Sequence, residues 1–276
     1  TYNTYFKDFD ELSLFLDLHE DIYDSKNLLV QIFSGIIDYD LLQNLSSFLL
    51  NKIPQANIIG STTDGEIIDD LVSTQKIVIS FSLFEKSTIK ISSVENICNE
   101  ESFTCGQNIS KDLLTKNSKV FILFASGLCV NGESFLNGIH DISKDVIIAG
   151  GLSADNAQFK NSYLICNNKI QTTGAVGISI NSDVLKVKNK FSLAWENLGR
   201  KFVVNKSIDN RVYEIDGITP YDLYKKYLGV EVSKKLPGIG IEFPLIIQRD
   251  NQKIARAVLK VHDDGSMTFA GNIKQN

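Results

Sequence analysis

Apolar positions along the chain fall into short runs joined by stretches of helical period, and the order of these runs occurs twice. Phe9, Leu12, Phe15, Leu16 and His19 share one helical face, which predicts a helix over 8–20 with Asp8 as its cap. Leu28 to Ser34 reads as a strand. Leu41, Leu42, Leu45, Phe48 and Leu49 then repeat at helical spacing after Asp38 and Asp40, and Pro54 closes that helix. A short strand at 57–59 follows. Two more helices are predicted, one over 101–114 and one starting at Asn131 or Gly132 and carrying Phe135, Ile139 and Ile142. Runs without strict alternation, such as Val120 to Phe124, predict a sheet buried on both faces by crossover helices.

The repetition is close. Leu28 to Gly35, a helix, and Ile58-Ile-Gly-Ser-Thr-Thr-Asp-Gly-Glu-Ile67 match Val120 to Gly127, a helix, and Val146-Ile-Ile-Ala-Gly-Gly-Leu-Ser-Ala-Asp-Asn156. Gly35 to Gly60 spans 25 residues and Gly127 to Gly151 spans 24. Ile77 to Ser82 matches Val176 to Asn181, and Ser87 to Ile97 reads like Asp183 to Leu193. The expectation is a duplicated β-α-β-β-β unit, with halves at 28–97 and 120–193, in an α/β (α+β) fold of mixed sheets covered by helices. A period near 90 is too long for a solenoid, whose repeats run roughly 20 to 50 residues.

From Trp195 the pattern turns antiparallel, predicting a second α+β domain over 195–276 after a first over 1–194. Lys201 to Asn205 and Arg211 to Ile215 flank the turn Asp209-Asn210, and Asp216-Gly217 makes another turn. Thr219-Pro220 opens a helix that Gly229 closes. Further hairpins are punctuated by Arg249-Asp250-Asn251 and Asp263-Asp264-Gly265. The lone Trp195 reads either as core packing or as the wall of a pocket near the domain junction.

A net charge of -5 over 276 residues, with acids and lysines interspersed, argues against a nucleic-acid partner. No apolar run approaches the 18 or so residues of a membrane span, so no membrane contact is expected. The four cysteines and three histidines show no metal-ligand spacing. Cys129 and Cys166 lie in or beside apolar sequence, as small buried hydrophobes do, which points to a reducing, cytoplasmic setting. The G-x-S-x-G elbow, the P-loop and the dinucleotide fingerprint are all missing from the sequence. No cofactor and no enzymatic activity are expected.

The chemistry therefore concentrates in the two glycine turns. Gly60, Ser61, Thr62, Thr63, Asp64, Gly65 and Glu66 present backbone N–H groups, hydroxyls and carboxylates that would suit a zwitterion, the amides taking its carboxylate and the acid its ammonium. Equally, the glycines solve a tight bend that the hydroxyls cap. In the second turn Gly150 and Gly151 allow close backbone approach, and Ser153, Asp155 and Asn156 add polar groups, with an Asx cap as the alternative for Asp155 and Asn156.

These residues carry a resemblance. Gly60-Ser-Thr-Thr-Asp-Gly-Glu-Ile67 is similar to the pattern G-C/S-S/T-T-x-G-E-I of the N-terminal FIST domain. Gly150-Gly-Leu-Ser-Ala-Asp-Asn156 resembles that family's G-G-x-A-x-D, with Ser153 where alanine is usual. Val212-Tyr-Glu-Ile-Asp-Gly-Ile-Thr-Pro-Tyr-Asp-Leu223 is similar to the opening of the FIST C-terminal domain, of which a final strand-and-helix portion is expected beyond Asn276. The resemblance covers residue 25 or so to the end. It implies a bacterial sensory module that binds small ligands such as amino acids and is covalently joined to a kinase, cyclase or chemoreceptor output. Arg256 matches an arginine of the C-terminal pattern and would clamp a carboxylate bidentately, against the alternative of a solvated strand face. Other readings are a protein-interaction scaffold, as in F-box proteins, and a hydrolase acting through Cys129 or a turn hydroxyl.

Overall fold

The computed structural model describes residues 1–98, 100–190, 193, 195–249 and 252–275. The chain divides into two compact units, residues 1–189 and 190–276. The first unit opens with β1 (Tyr2–Tyr5), α1 (Phe9–Asp17), the single turn α2 (Asp21–Asp24), β2 (Leu28–Ser34), α3 (Tyr39–Lys52) and β3 (Asn57–Thr62). The hairpin β4 (Glu66–Ile68) and β5 (Leu71–Ser73) and the strand β6 (Ile77–Leu83) follow. The same order then recurs: β7 (Thr88–Val94), α4 (Ser102–Leu113), β8 (Ser118–Ala125), α5 (Gly132–Ile142), β9 (Ile147–Leu152), the hairpin β10 (Leu164–Cys166) and β11 (Lys169–Gln171), and β12 (Ala175–Asn181). Side-chain caps fix the helix starts: Asp8, as expected, accepts from Glu11 N, and Asp38 and Asn131 do the same for Leu41 N and Ser134 N.

The strand pairing repeats between the two sheets at the level of register. The sheets run β1-β6-β2-β3-β10-β11 and β7-β12-β8-β9. In the first, Val30 of β2 lies opposite Ile58 of β3 and Phe81 of β6; in the second, Ile122 of β8 lies opposite Ala149 of β9 and Ile178 of β12. Three positions on, Phe33 faces Ser61 and Val78, and Ala125 faces Leu152 and Ala175, so the correspondence holds along the strands. Thr4 of β1 pairs with Ile79 and Ser93 of β7 with Val176 in the same relation. The copies are thus set one strand earlier than the sequence pattern suggests. Strand β7 opens the second copy, as β1 opens the first, and residues 183–190 form no strand. A short alternating stretch carries no record of which neighbour it pairs with; tertiary context decides that.

The two sheets pack face to face. Leu29, Ile59 and Leu164 of one meet Val120, Phe124, Val176, Ile178 and Ile180 of the other, and Phe33 sits edge-on to Phe124 with ring centres 5.6 Å apart. Helices α1 and α3 cover the outer face of the first sheet through Leu12, Leu16, Leu42, Leu45 and Leu49. Helices α4 and α5 cover that of the second through Cys105, Ile109, Phe135 and Ile139. The result is a helix–sheet–sheet–helix sandwich, which explains the apolar run of Val120 to Phe124.

One departure from symmetry shapes the site. The hairpin that follows β9 crosses over and pairs with β3, whereas the hairpin that follows β3 forms its own two-stranded sheet. Residues 153–163 link β9 to β10, but only residues 63–65 link β3 to β4. Three residues span at most about 10 Å. That is roughly the spacing of two stacked sheets, so β4 cannot also travel sideways to the edge of β9. Among the described residues β9 therefore ends its sheet unpaired on one side.

Cys98 and Cys129 form a disulfide, their Cα atoms 4.5 Å apart. This corrects the reading of Cys129 as a buried free thiol, a description that fits Cys105. The approach to α4 and the turn before α5 bring the pair together, and no spacing in the sequence signals it. Cys166 is a free, half-buried thiol.

The second unit holds β13 (Val204–Ile208), β14 (Arg211–Ile215), α6 (Pro220–Leu228), the short α7 (Val230–Ser233), a 3-10 turn at Gly238–Ile241, β15 (Leu245–Arg249), β16 (Gln252–Arg256), β17 (Val258–Val261) and β18 (Met267–Phe269). Its main sheet runs β13-β14-β18-β17 and is antiparallel throughout. Thr219 caps α6, with Pro220 in its first turn, and Gly229 ends it at φ 82°. Strand β13 begins at 204 rather than 201, because Val203 N–H is taken by the Asp216 side chain at 2.8 Å instead of a ladder partner. The turn predicted at Asp250-Asn251 lies outside the described residues, between the paired strands β15 and β16. Val212, Ile215, Leu223, Val258, Met267 and Phe269 form the core.

Candidate functional site

Gly60, Ser61 and Thr62 are strand rather than turn residues. Paired with β2 on one side and β10 on the other, they have buried backbones. Gly60 is required by close approach, since a Cβ there would lie 2.5 Å from Ile32 O. Ser61 Oγ donates to Thr62 O. Thr62 N–H donates to Tyr163 O, and Thr62 Oγ1 accepts from Tyr163 N–H, both at 2.9 Å. Glu66 is 2% exposed, its carboxylate accepting from Thr63 Oγ1 and from Lys76 N. Five of the seven residues of this turn are thus occupied in holding it. Asp64 and Gly65 stand exposed.

The second turn divides in the same way. Gly150 and Gly151 lie in β9 and are exposed, with Ala149 and Leu152 beside them on the unpaired edge. Gly150 has φ +136°, and a Cβ on it would strike Leu123 O at 1.8 Å. Ser153 is buried, its hydroxyl accepting from Gly127 N at 3.1 Å and sharing a 2.7 Å bond with Ser162 Oγ. Asp155, 4% exposed, gathers the amides of Phe159, Lys160 and Asn161 at 2.8, 2.6 and 3.0 Å. Burial alone pushes its carboxyl up; the amides of Lys160, Phe159, Asn161 and Gln158 outweigh that and hold it below the ordinary carboxylate value. Asp155 closes its own loop in this way, and residues 156–163 hold no helix or strand for it to cap.

These bonds wind residues 155–161 into a tight loop in which Asn156, Ala157 and Phe159 all take left-handed backbone, with φ 58°, 57° and 56°. Such conformations cost free energy in residues other than glycine and persist only where the surroundings enforce them. The loop touches the first turn directly. Ala154 N–H donates to Thr62 O at 2.9 Å, Ala157 N–H to Asp64 Oδ1 at 3.2 Å, and Asn156 Nδ2 to Gly35 O at 2.9 Å. The two turns expected to be similar are therefore joined into one structure, with Asp64 at the seam. Sequence reading missed the parts played by Tyr163, Gly35 and Ala157, which contribute only backbone atoms here.

Arg256 lies in the second unit at the end of β16, its Nε donating to Asn272 O at 3.2 Å and its guanidinium packed over Gly271. Among the described residues no three His, Cys, Asp or Glu side chains group as metal ligands. No helix there is long and apolar enough to cross a membrane.

A duplicated four-layer sandwich with its two polar turns fused, followed by an antiparallel unit, defines a two-part α+β class. The chain belongs to the FIST family: the FIST N domain matches residues 28–218 and the FIST C domain residues 220–276. FIST domains are associated with sensory signal transduction. No curated protein matches the chain. The family boundary falls after β14, although β14 pairs with β18 and so belongs structurally with the second unit.

Proposed function

We propose that this chain is the ligand-binding part of a bacterial signalling protein, taking a small zwitterion such as an amino acid at the seam between the turns. The observation that carries this is the exposed Asp64 carboxylate, held by Ala157 N–H against a loop with three left-handed residues, at the end of the sandwich where β9 leaves its edge unpaired. Asp64 takes the ammonium; Gly65 and Gly150 offer backbone amides to the carboxylate, Gly151 lets the ligand approach the strand closely, and Asn156 sets the loop between them. A kinase, cyclase or chemoreceptor domain joined in the same polypeptide reads out occupancy. The role is binding without turnover, and a metabolite that binds saturably without being consumed would bear it out. A cytoplasmic placement requires the Cys98–Cys129 pair to be reduced there, because a lasting disulfide belongs to an oxidising compartment.

A thermal-shift screen with the twenty amino acids tests the reading. A ligand at 100 times its Kd adds about 2.7 kcal/mol to stability. A second reading, a protein-interaction scaffold, is favoured by the bare edge of β9 and by the exposed Ile67, Leu71 and Val72 of the β4–β5 hairpin. A screen with no stabilising compound would turn the account to that reading.

A further inference from the structure

The second unit contains a cavity of about 800 Å³ lined by its own residues alone. Its floor is one side of the unit's core: Phe202, Leu223, Leu228, Phe243, Ile247 and Ile273 all belong to the core cluster and all face the cavity. Volume and lining match small-molecule sites, which run from about 300 to 1,000 Å³ and are mostly apolar with a few polar groups.

A strap without helix or strand, residues 195–203, lines one wall and is pinned at both ends. Trp195 Nε1 donates to Glu242 O at 3.3 Å, and at the other end Val203 N–H donates to the Asp216 carboxylate at 2.8 Å while Val203 O accepts from Asp216 N–H at 2.9 Å. Arg200 is already neutralised by Asp216 at 2.6 Å. That leaves Lys201, Lys253 and Lys274 on the rim against Glu196 and Glu242, an excess of one positive charge. All three lysines are exposed.

We infer that this cavity is a second ligand site, taking an amphipathic anion whose apolar body lies on the Phe202–Phe243 floor and whose head meets the rim lysines. An apolar wall of this extent left to water gains by any occupant that covers it, and the rim sets the preferred sign of the head group. The site does not depend on the turns of the first unit.

Trp195 is the only tryptophan in the chain and lines this cavity, so its emission reports occupancy of this site. The whole chain is titrated with decanoate, decanol and decylamine below their aggregation limits. Saturable change in Trp195 emission is expected, with decanoate binding several-fold more tightly than decylamine and decanol between them. Lys253→Glu with Lys274→Glu, both surface changes that leave folding intact, should weaken decanoate about tenfold and favour decylamine, the effect of reversing two exposed charges. A response that never saturates, equal affinity for decanoate and decylamine, or a double variant that binds decanoate as wild type does would overturn the inference.

Discussion

Replacing Asp155 by asparagine separates a structural carboxylate from a ligand-facing one. Its Oδ2 accepts from Lys160 and Asn161 N–H, and Oδ1 from Phe159 N–H. An amide keeps one oxygen, so the least damaging orientation retains the two bonds at Oδ2 and turns an NH2 toward Phe159 N–H. Each retained bond falls from charge-assisted to neutral strength, a loss of about 1 kcal/mol, and the abandoned donor costs about 1–3 kcal/mol in a site that is 4% exposed. The expected destabilisation is roughly 3–5 kcal/mol at neutral pH. Urea denaturation followed by circular dichroism reads it as a lower midpoint with unchanged slope. The pH dependence has a definite sign. The folded carboxyl lies below its ordinary value of 3.8. Its stabilisation is therefore complete above the unfolded value and is lost as pH falls through the folded one, so the gap between wild type and Asp155→Asn closes in acid. A variant within about 0.5 kcal/mol of wild type at neutral pH would refute the argument and return Asp155 to the list of ligand partners.

Other perturbations test other parts of the account. Reducing the Cys98–Cys129 bond, which spans 31 residues, should lower stability by roughly 3–4 kcal/mol on chain-entropy grounds, and the double serine variant should show the same loss with no further response to reductant. Gly150→Ala places a methyl group 1.8 Å from Leu123 O at φ +136° and should cost at least about 3 kcal/mol, whereas Gly151→Ala meets nothing within 4 Å and should stay within about 0.5 kcal/mol; paired urea curves decide. Burial pushes the Cys105 thiol up to about 12, so it should resist thiol reagents at pH 8 until the chain unfolds, as mass spectrometry of labelled protein would record.

Much of the architecture was legible because it rests on local signals. The cap at Asp8, the helix starts near Asp38 and Asn131, and the helix between Thr219 and Gly229 all lie where short-range chemistry places them. What stayed hidden depends on pairing across long separations. Strand β7 joins the second sheet, Cys98 meets Cys129, and β10 crosses to β3 because of an eleven-residue link, none of which is encoded in hydrophobic period. The two motifs of the candidate site are legible in the sequence, but the partners of their side chains within the fold are not. Glu66, Thr62, Ser153 and Asp155 have the polarity of ligand partners and spend it on backbone amides and neighbouring hydroxyls, which a sequence cannot distinguish from spending it on a ligand.

The central claim is that Asp64 at the fused turns recognises a small zwitterion. Calorimetric titration of the amino acid that most stabilises the chain, against wild type and Asp64→Ala, tests it most directly. Asp64 is exposed and makes one 3.2 Å bond to Ala157 N–H, so the variant should keep its unliganded stability within about 0.5 kcal/mol. The account predicts one-site binding to wild type and none to the variant. Equal binding by both proteins, or heat from neither, would contradict it.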